Sequence, residues 1–496
     1  MEQSGVRVFG LAQEKVETAV LSGAEFDPVA TAYSANDLVL DLLREEGIWE
    51  RLVSVRPGVA SNGKDFQKVL GILAIKELLH VGRLQHIGKI LRDANLMAGL
   101  GFTLEEVEEK GEKDRGIIHR DTARNHLKKI AVDESVSDFY RFVGFMRGKR
   151  WIRGGLYAAD GFEMEVFGKG YPGAGKVWVA DEKRWKRGYK AVLLMNIAPG
   201  RERLVGFALG PIQADERVLL RQIFEDLKKH VAPPSDMIDT LVLDRGFFGW
   251  DFFEELKNTW KLHFVLIAKK NLLLTQEMAW LSQSGQLKFQ NRSLKGEEVQ
   301  IAFAQDVMYG YESKEKPYRG KLNCVAVRYP QPPKEGKPRE PREVIYLTDM
   351  SVRKNPLKIP KYYKARWTIE NQGIRELSQV WKVRQMPGRT LNAITARLCL
   401  VLKLYNALKI LEMKYPKDTE TLKKEMMRRG ERSWLSGRGI ILYVGALFAV
   451  VSERQFKGLL GKRKDIEWQK KIRDVLRAPP GEREKLLGQL VGSTEE

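Results

Sequence analysis

The stretch Tyr363-Lys364-Ala365-Arg366-Trp367-Thr368-Ile369-Glu370 places a phenol, a guanidinium and a carboxylate at helical spacing. It lies in a predicted helix over Pro360–Lys382, which Pro387 and Gly388 end. At about 100° per residue, positions 363, 366 and 370 fall on one face within roughly 60°. Glu370 can there complete a metal site, while Tyr363 and Arg366 can hold phosphate oxygens. An amphipathic helix with an internal Arg–Glu pair at i,i+4 is the plainer reading of the same residues.

Two further acids stand upstream at the ends of apolar strands. Asp160 closes Gly155-Leu156-Tyr157-Ala158-Ala159, and Asp244 closes Thr240-Leu241-Val242-Leu243. An acid at that place leaves the core just as its side chain reaches solvent. Two such strands side by side bring two carboxylates together, which repel unless cations lie between them. Hard oxygen ligands suit Mg²⁺, with Mn²⁺ as a substitute, and two such ions can act on a phosphodiester. For either acid alone, a turn or helix cap is the better reading, because the chain has 64 acids.

The elements around these acids have a definite order. Strands are expected at Gly155–Asp160, Glu163–Phe167, Ala191–Asn196 and Leu204–Leu209, then a helix over Ala214–Val231. A buried strand at Thr240–Asp244, a helix over Trp250–Trp260 and a strand at His263–Ala268 follow. Three meandering strands followed by alternating helix and strand is the order of an RNase H-like α/β core. Residues 272–350 read as a β-rich insertion, with strands at Val299–Ala304, Asn323–Arg328 and Val344–Thr348 and a surface loop at Pro330–Pro341. The expected fold class is α/β: this core, interrupted by the insertion and flanked by helical N- and C-terminal regions. The boundaries are 1–150 (helical, DNA-binding), 151–271 (first part of the core), 272–350 (insertion), 351–413 (last part, with the Glu helix) and 414–496 (helical and basic). In the first of these, Ser34 is a candidate N-cap and a helix-turn-helix reader of DNA is one possibility beside an ordinary helical domain.

The string YKARWTIE resembles the Tyr-x2-Arg-x3-Glu signature of IS4-type DDE transposases, and LDRGF at Asp244 is similar to the family's second acid motif. The string at Asp160 is similar to the first. The resemblance covers roughly residues 155–410 and implies a metal-dependent enzyme that cuts element-end DNA and joins it to target DNA. It implies Asp160, Asp244 and Glu370 as catalytic metal ligands for two Mg²⁺ ions and Tyr363 and Arg366 as contacts to the DNA end. Arg245, beside Asp244, is assigned with them to DNA. In related transposases an aromatic of the insertion stacks on a flipped base. Trp280 is the candidate here, set against its reading as a core tryptophan, and Trp367 is read as packing its helix. The family signature continues to a Lys at the position of Leu377. The rival readings are an RNase H-fold nuclease without strand transfer and a catalytically decayed DNA-binding protein.

Composition points the same way. Lys and Arg number 85 against 64 acids, a formal charge of +21, so polyanions are attracted. The basic residues form short clusters. Lys183, Arg184, Lys186 and Arg187 surround Trp185 and are assigned to DNA; Arg147, Lys149, Arg150 and Arg153 surround Trp151; others include Lys462, Arg463 and Lys464. The partner is double-stranded DNA, at the terminal inverted repeats and at the target, with a homodimer expected when ends are paired. Cys324 and Cys399 exclude a disulfide framework and a cysteine zinc site, and fit a reducing cytoplasm with the protein on the nucleoid when bound to DNA. Met1–Gly10 lacks an apolar signal core, and the run Ile440–Val451 is too short to span a bilayer and reads as a buried helix, so no membrane role is expected. Gly170-Tyr171-Pro172-Gly173-Ala174-Gly175-Lys176 mimics a phosphate-binding loop. Val177 stands where Ser or Thr would reach Mg²⁺, so this is a glycine turn and no nucleotide cofactor is expected.

Overall fold

The structure is a computed structural model and describes residues 10–31, 33–56, 66–90, 94–102, 119–269, 272–294, 296–311, 318–330, 342–429, 433–435, 439–445 and 447–462. The loop expected at 330–341, Pro330 apart, and Arg463 and Lys464 lie outside these residues. The strands, in chain order, are β1 Gly10–Leu11, β2 Asp27–Thr31, β3 Gly155–Glu165, β4 Gly175–Val179, β5 Arg184–Asn196, β6 Arg203–Pro211 and β7 Ile238–Leu243. They continue as β8 His263–Ile267, β9 Gln290–Leu294, β10 Glu297–Tyr311, β11 Tyr318–Tyr329, β12 Arg342–Thr348, β13 Gly439–Val444 and β14 Leu447–Val451. The chain divides into two compact units, residues 136–379 and residues 1–135 with 380–496.

The 136–379 unit is built on one sheet in the order β4-β5-β3-β7-β8-β12-β11-β10-β9, with β6 also paired to β5. The long β5 serves two partners. Its first residues, Arg184–Gly188, pair with β4, and Tyr189–Asn196 pair with β6. β3 is antiparallel to β5 and parallel to β7, and β7 is parallel to β8. Of β7, only Asp239 is exposed, as expected of a central parallel strand covered on both faces. The helix Glu216–His230 buries Leu219, Leu220, Ile223, Phe224 and Leu227, and Asp215 caps it by accepting from the Arg217 N–H. Ile223 leaves no room for a side chain at Gly206 of β6, so this glycine lets helix and sheet approach closely.

Three expectations need correction here. The strands expected at Gly155–Asp160 and Glu163–Phe167 are one strand, because Asp160, Gly161 and Phe162 keep unbroken pairing with Leu193, Val192 and Ala191 of β5. The region 272–350 opens with a helix, Leu273–Gln283, before its strands, and β12 pairs with β8, so the strands extend the central sheet. The helix expected over Pro360–Lys382 runs from Lys358 to Gln379 but is not α-helical throughout. An α-helix covers Lys358–Ala365, a π-helix Ile369–Arg375 and a short α-helical turn Glu376–Gln379. The β-branched Thr368 and Ile369 and the mid-helix Gly373 all lower α-helical propensity at that point.

The other unit holds the helices Asn36–Glu45, Phe66–Leu78, Arg120–Lys129 and Leu391–Lys414. Ser34 does not cap the first; that helix starts at Asn36 without a side-chain cap. Its sheet has the order β1-β14-β13-β2. The run Ile440–Val451 is therefore a β-hairpin and not a buried helix. Its β-branched and aromatic residues suit a sheet, and Gly445 turns with a φ of 58°. Ile440, Leu442, Ala449 and Val451 then pack with Phe456 of the following helix Glu453–Lys462 and with Val16 and Val20, far away in sequence. No helix among the described residues is long and apolar enough to cross a membrane.

Candidate active site

Parallel pairing of β3 with β7 sets Ala158 against Val242 and Ala159 against Leu243. Asp160 and Asp244 therefore follow at the same level of adjacent strands, which lie about 4.8 Å apart. They do so differently. β7 ends before Asp244, but β3 runs on through Asp160, which sits in mid-strand rather than at a strand end. Asp160 Oδ1 accepts the Gly161 N–H at 2.8 Å. Asp244 accepts the Gly246 N–H and caps the turn Arg245–Phe247. The capping role weighed for such an acid is thus real at Asp244 and leaves its second oxygen available.

Glu370 enters from the first turn of the π-helix. Arg366 ties it to Asp160: Nη1 lies 2.5 Å from Glu370 Oε1 and 3.2 Å from Asp160 Oδ2. Arg366 is 7% exposed, and its Nε has no partner. Tyr363 stacks beside it, with Arg366 Cζ 5.3 Å from the ring centroid. The three signature residues therefore share one face even though the helix is not α-helical throughout. Asp244, Arg245, Tyr363, Arg366 and Trp367 line an open pocket of about 850 Å³, with Tyr329, Arg342 and Tyr346 on its other walls.

Burial pushes the Asp160 carboxyl up to about 7; Arg366 and the Gly161 N–H pull it down, while the charges of Asp244 and Glu370 add to the rise. Burial also raises the Tyr363 phenol, against the pull of Arg366. For Arg366 itself, burial favours loss of the proton, but Tyr363, Glu370 and Asp160 outweigh it and hold the group above its usual value. The Asp160 shift has a sign that can be measured. Its folded value lies above the ordinary 3.8, so between about pH 4 and 7 the folded chain binds more protons and stability falls as pH rises. The loss is at most about 4 kcal/mol. His80, lowered to about 4 by burial, works in the opposite direction, so the readout is a difference. Without divalent cation, Asp160→Asn should gain melting temperature over wild type at pH 8 and lose that advantage at pH 4. Parallel melting curves across that range would contradict it.

Other assigned residues fall in varied surroundings. Arg245 is exposed at the pocket mouth. Trp280 is 58% exposed on the helix Leu273–Gln283, so it is not a core residue, and it does not line this pocket. Trp367 is 54% exposed and lines the pocket instead of packing its helix. On the β4–β5 hairpin, Arg184 is ion-paired to Glu165 and Glu182, and Lys186 to Glu182 and Glu163, while Lys183 stands at the exposed turn with φ 48°. Trp185 is exposed and meets Trp178 edge-on at 5.8 Å; Trp151 of the earlier basic cluster is buried. Gly170 and Gly173 take positive φ and lead into β4, a turn with no helix N-terminus for a phosphate.

Leu377 is fully buried. The place where the signature expects Lys thus faces the interior. Leu377→Lys loses the burial of a leucine and forces an ammonium into an apolar site, at a cost of about 3 kcal/mol or more. A clear drop in the denaturation midpoint is expected; an unchanged midpoint would contradict this placement.

One carboxylate escaped notice in the sequence. Glu216, the first residue of its helix, lies against Gly161 and Gly246 and pairs with Lys190 at 3.7 Å. Burial raises its carboxyl, with Asp244 adding to the rise. As an acid in a helix's first turn it looked like ordinary dipole compensation. The glycines after both aspartates were the available signal.

Among the described residues, no three acidic, His or Cys side chains already surround a common point that a metal ion could take. The cause is visible: Arg366 stands between Asp160 and Glu370. The donors are nonetheless all carboxylate oxygens, one of them partly buried against its own kind, which is the donor set of a hard divalent cation. The residues fit such an ion once Arg366 turns to another anion.

Two level aspartates, a glutamate tied to one of them by Arg366, and a pocket lined by arginines and tyrosines thus lie together where β7 ends beside β3. Residues 153–407, just over half of the chain, match the transposase DDE domain, and the chain belongs to that family. No curated protein matches it. The family makes this an enzyme of DNA transposition that binds DNA.

Proposed function

We propose that the chain is the cut-and-paste transposase of an insertion sequence, of the IS4 type, acting through Asp160, Asp244 and Glu370. The observation that carries this is the register of β3 and β7, which brings the two aspartates level, with Glu370 linked to Asp160 through Arg366. The RNase H-like reading of the core is supported by the strand order β6-β5-β3-β7-β8, with the first three antiparallel and the last two parallel to β3. Family members generally use divalent metals; we assign Mg²⁺, in two sites, to the three carboxylates, with Mn²⁺ able to replace it.

Bound there, the cation supplies positive charge to the scissile phosphate and to the attacking oxygen. Asp244 keeps its orientation through the Gly246 N–H, and Asp160 through the Gly161 N–H. Arg366 and Tyr363 hold phosphate oxygens of the element end, and Arg245 and the exposed Trp280 reach neighbouring DNA. Lys183, Arg184, Lys186 and Arg187 on the β4–β5 hairpin meet its backbone. Ends pair within a homodimer on the nucleoid in the cytoplasm. The test is incubation of the full chain with a linear fragment carrying the inverted repeats that flank its gene, a supercoiled plasmid and Mg²⁺. Cleavage at the ends followed by joining to the plasmid is expected. Cleavage without joining would replace the proposal with a nuclease, and binding without cleavage with a decayed DNA-binding protein.

A further inference from the structure

We propose that Glu216 is a positioning residue of this site, a fourth carboxylate that holds the Asp160 and Asp244 peptides in place and strengthens their hold on a divalent cation. The inference rests on the reading of Asp160 and Asp244 as cation ligands. Its physical basis is the space around Gly161 and Gly246. A Cβ on Gly161 would lie 2.7 Å from Glu216 Oε1, and one on Gly246 would lie 2.5 Å from Glu216 Oε2 and 2.9 Å from Asp244 Oδ1. Neither glycine has a positive φ, so neither is required by its backbone conformation. What both positions lack is room, and Glu216 takes it.

The same two residues supply the N–H groups that orient the catalytic aspartates, Gly161 for Asp160 and Gly246 for Asp244. Glu216 therefore rests on the two peptides that aim the ligands. Its charge also lies beside Asp244, and Lys190 at 3.7 Å is its counterion within the chain. A carboxylate so placed fixes the ligand peptides by contact and can accept a hydrogen bond from a cation's water shell. An acid serving only the helix dipole could point anywhere around the first turn, whereas the two oxygens of Glu216 lie one beside each glycine.

The test is titration of the DNA-free full chain with Mn²⁺ by calorimetry, together with melting curves, for wild type, Glu216→Gln, Gly246→Ala and Asp160→Asn. Outer residues around metal ligands are worth about 10- to 100-fold in affinity. Glu216→Gln should weaken Mn²⁺ binding about tenfold without a large fall in melting temperature, and should raise the Mg²⁺ concentration for half-maximal cleavage by a similar factor. Gly246→Ala keeps the charge but displaces the carboxylate, and should weaken Mn²⁺ binding as well. Wild-type Mn²⁺ affinity in either folded variant overturns the proposal, as does a loss in Glu216→Gln as complete as in Asp160→Asn, which would make it a ligand. Wild-type affinity in Asp160→Asn would instead overturn the reading of the site itself.

Discussion

Asp160→Asn, Asp244→Asn and Glu370→Gln are each expected to lower Mg²⁺-dependent end cleavage by about a thousandfold or more while the chain stays folded. Cation charge on a phosphoryl oxygen is worth several kcal/mol in the transition state, and about 1.4 kcal/mol is a factor of ten in rate. Each change keeps size and removes one charge from a group of three acids. Asp244 offers the sharpest comparison, because its carboxylate also caps the turn Arg245–Phe247. Asn caps as well as Asp does, so Asp244→Asn preserves the turn and removes only the charge. If capping were the whole role of Asp244, this variant would cleave normally. DNA binding should survive or strengthen in all three, since a negative charge facing phosphate has gone. Asp251 and Glu254, on the helix Trp250–Asn258, serve as acidic controls. Wild-type cleavage in any one of the three would remove that residue from the site, and wild-type cleavage in all three would end the proposed mechanism.

Arg366→Ala is expected to cost stability and activity together, and to change cation binding in the opposite direction. The guanidinium is the internal counterion of Asp160 and Glu370. Removing one partner of a buried pair leaves the other charge uncompensated, at about 3–5 kcal/mol when burial is complete. With Glu370 partly exposed, about 2–3 kcal/mol is expected, largest at pH 8, where Asp160 is ionised. Adding Mn²⁺ should restore most of that loss, because the cation then takes the place the guanidinium held. The DNA-free variant should bind Mn²⁺ more tightly than wild type, yet cleave about a hundredfold more slowly for want of a phosphate contact, a cost typical of one lost donor to developing charge. Unchanged Mn²⁺ affinity with no recovery of melting temperature would show that Arg366 does not stand where the cation binds.

The opposing effects on cation binding and catalysis follow from one side chain having two anions to serve. While Arg366 pairs with Asp160 and Glu370, its one positive charge offsets part of theirs. On the proposed reading, a DNA phosphate in the adjoining pocket would offer the guanidinium a second partner and release the oxygens. Tyr363 lies against the guanidinium and in the same pocket, where such a phosphate would meet both side chains.

Much of this was legible in the residues alone, and for identifiable reasons. Apolar runs that end in an acid, as before Asp244, report burial directly, and the helix Glu216–His230 shows its buried face at helical spacing. The Tyr363, Arg366 and Glu370 spacing survives the departure from α-helical geometry because residues three and four apart remain neighbours in any right-handed helical turn. These are local patterns, decided within a few residues. What only the tertiary structure decided depends on partners distant in sequence. Pairing with β5 carries β3 through Asp160 and Gly161. The Ile440–Val451 run folds as a hairpin because β1 and β2, from the other end of the chain, pair with its two strands. Trp280, read as a core tryptophan, is exposed, and Leu377, at the signature's Lys position, is buried, because neighbours from other elements set the burial of each face. Glu216 lies against Gly161 and Gly246 from a third element, so the glycines beside the two aspartates show what they make room for only when the chain is folded.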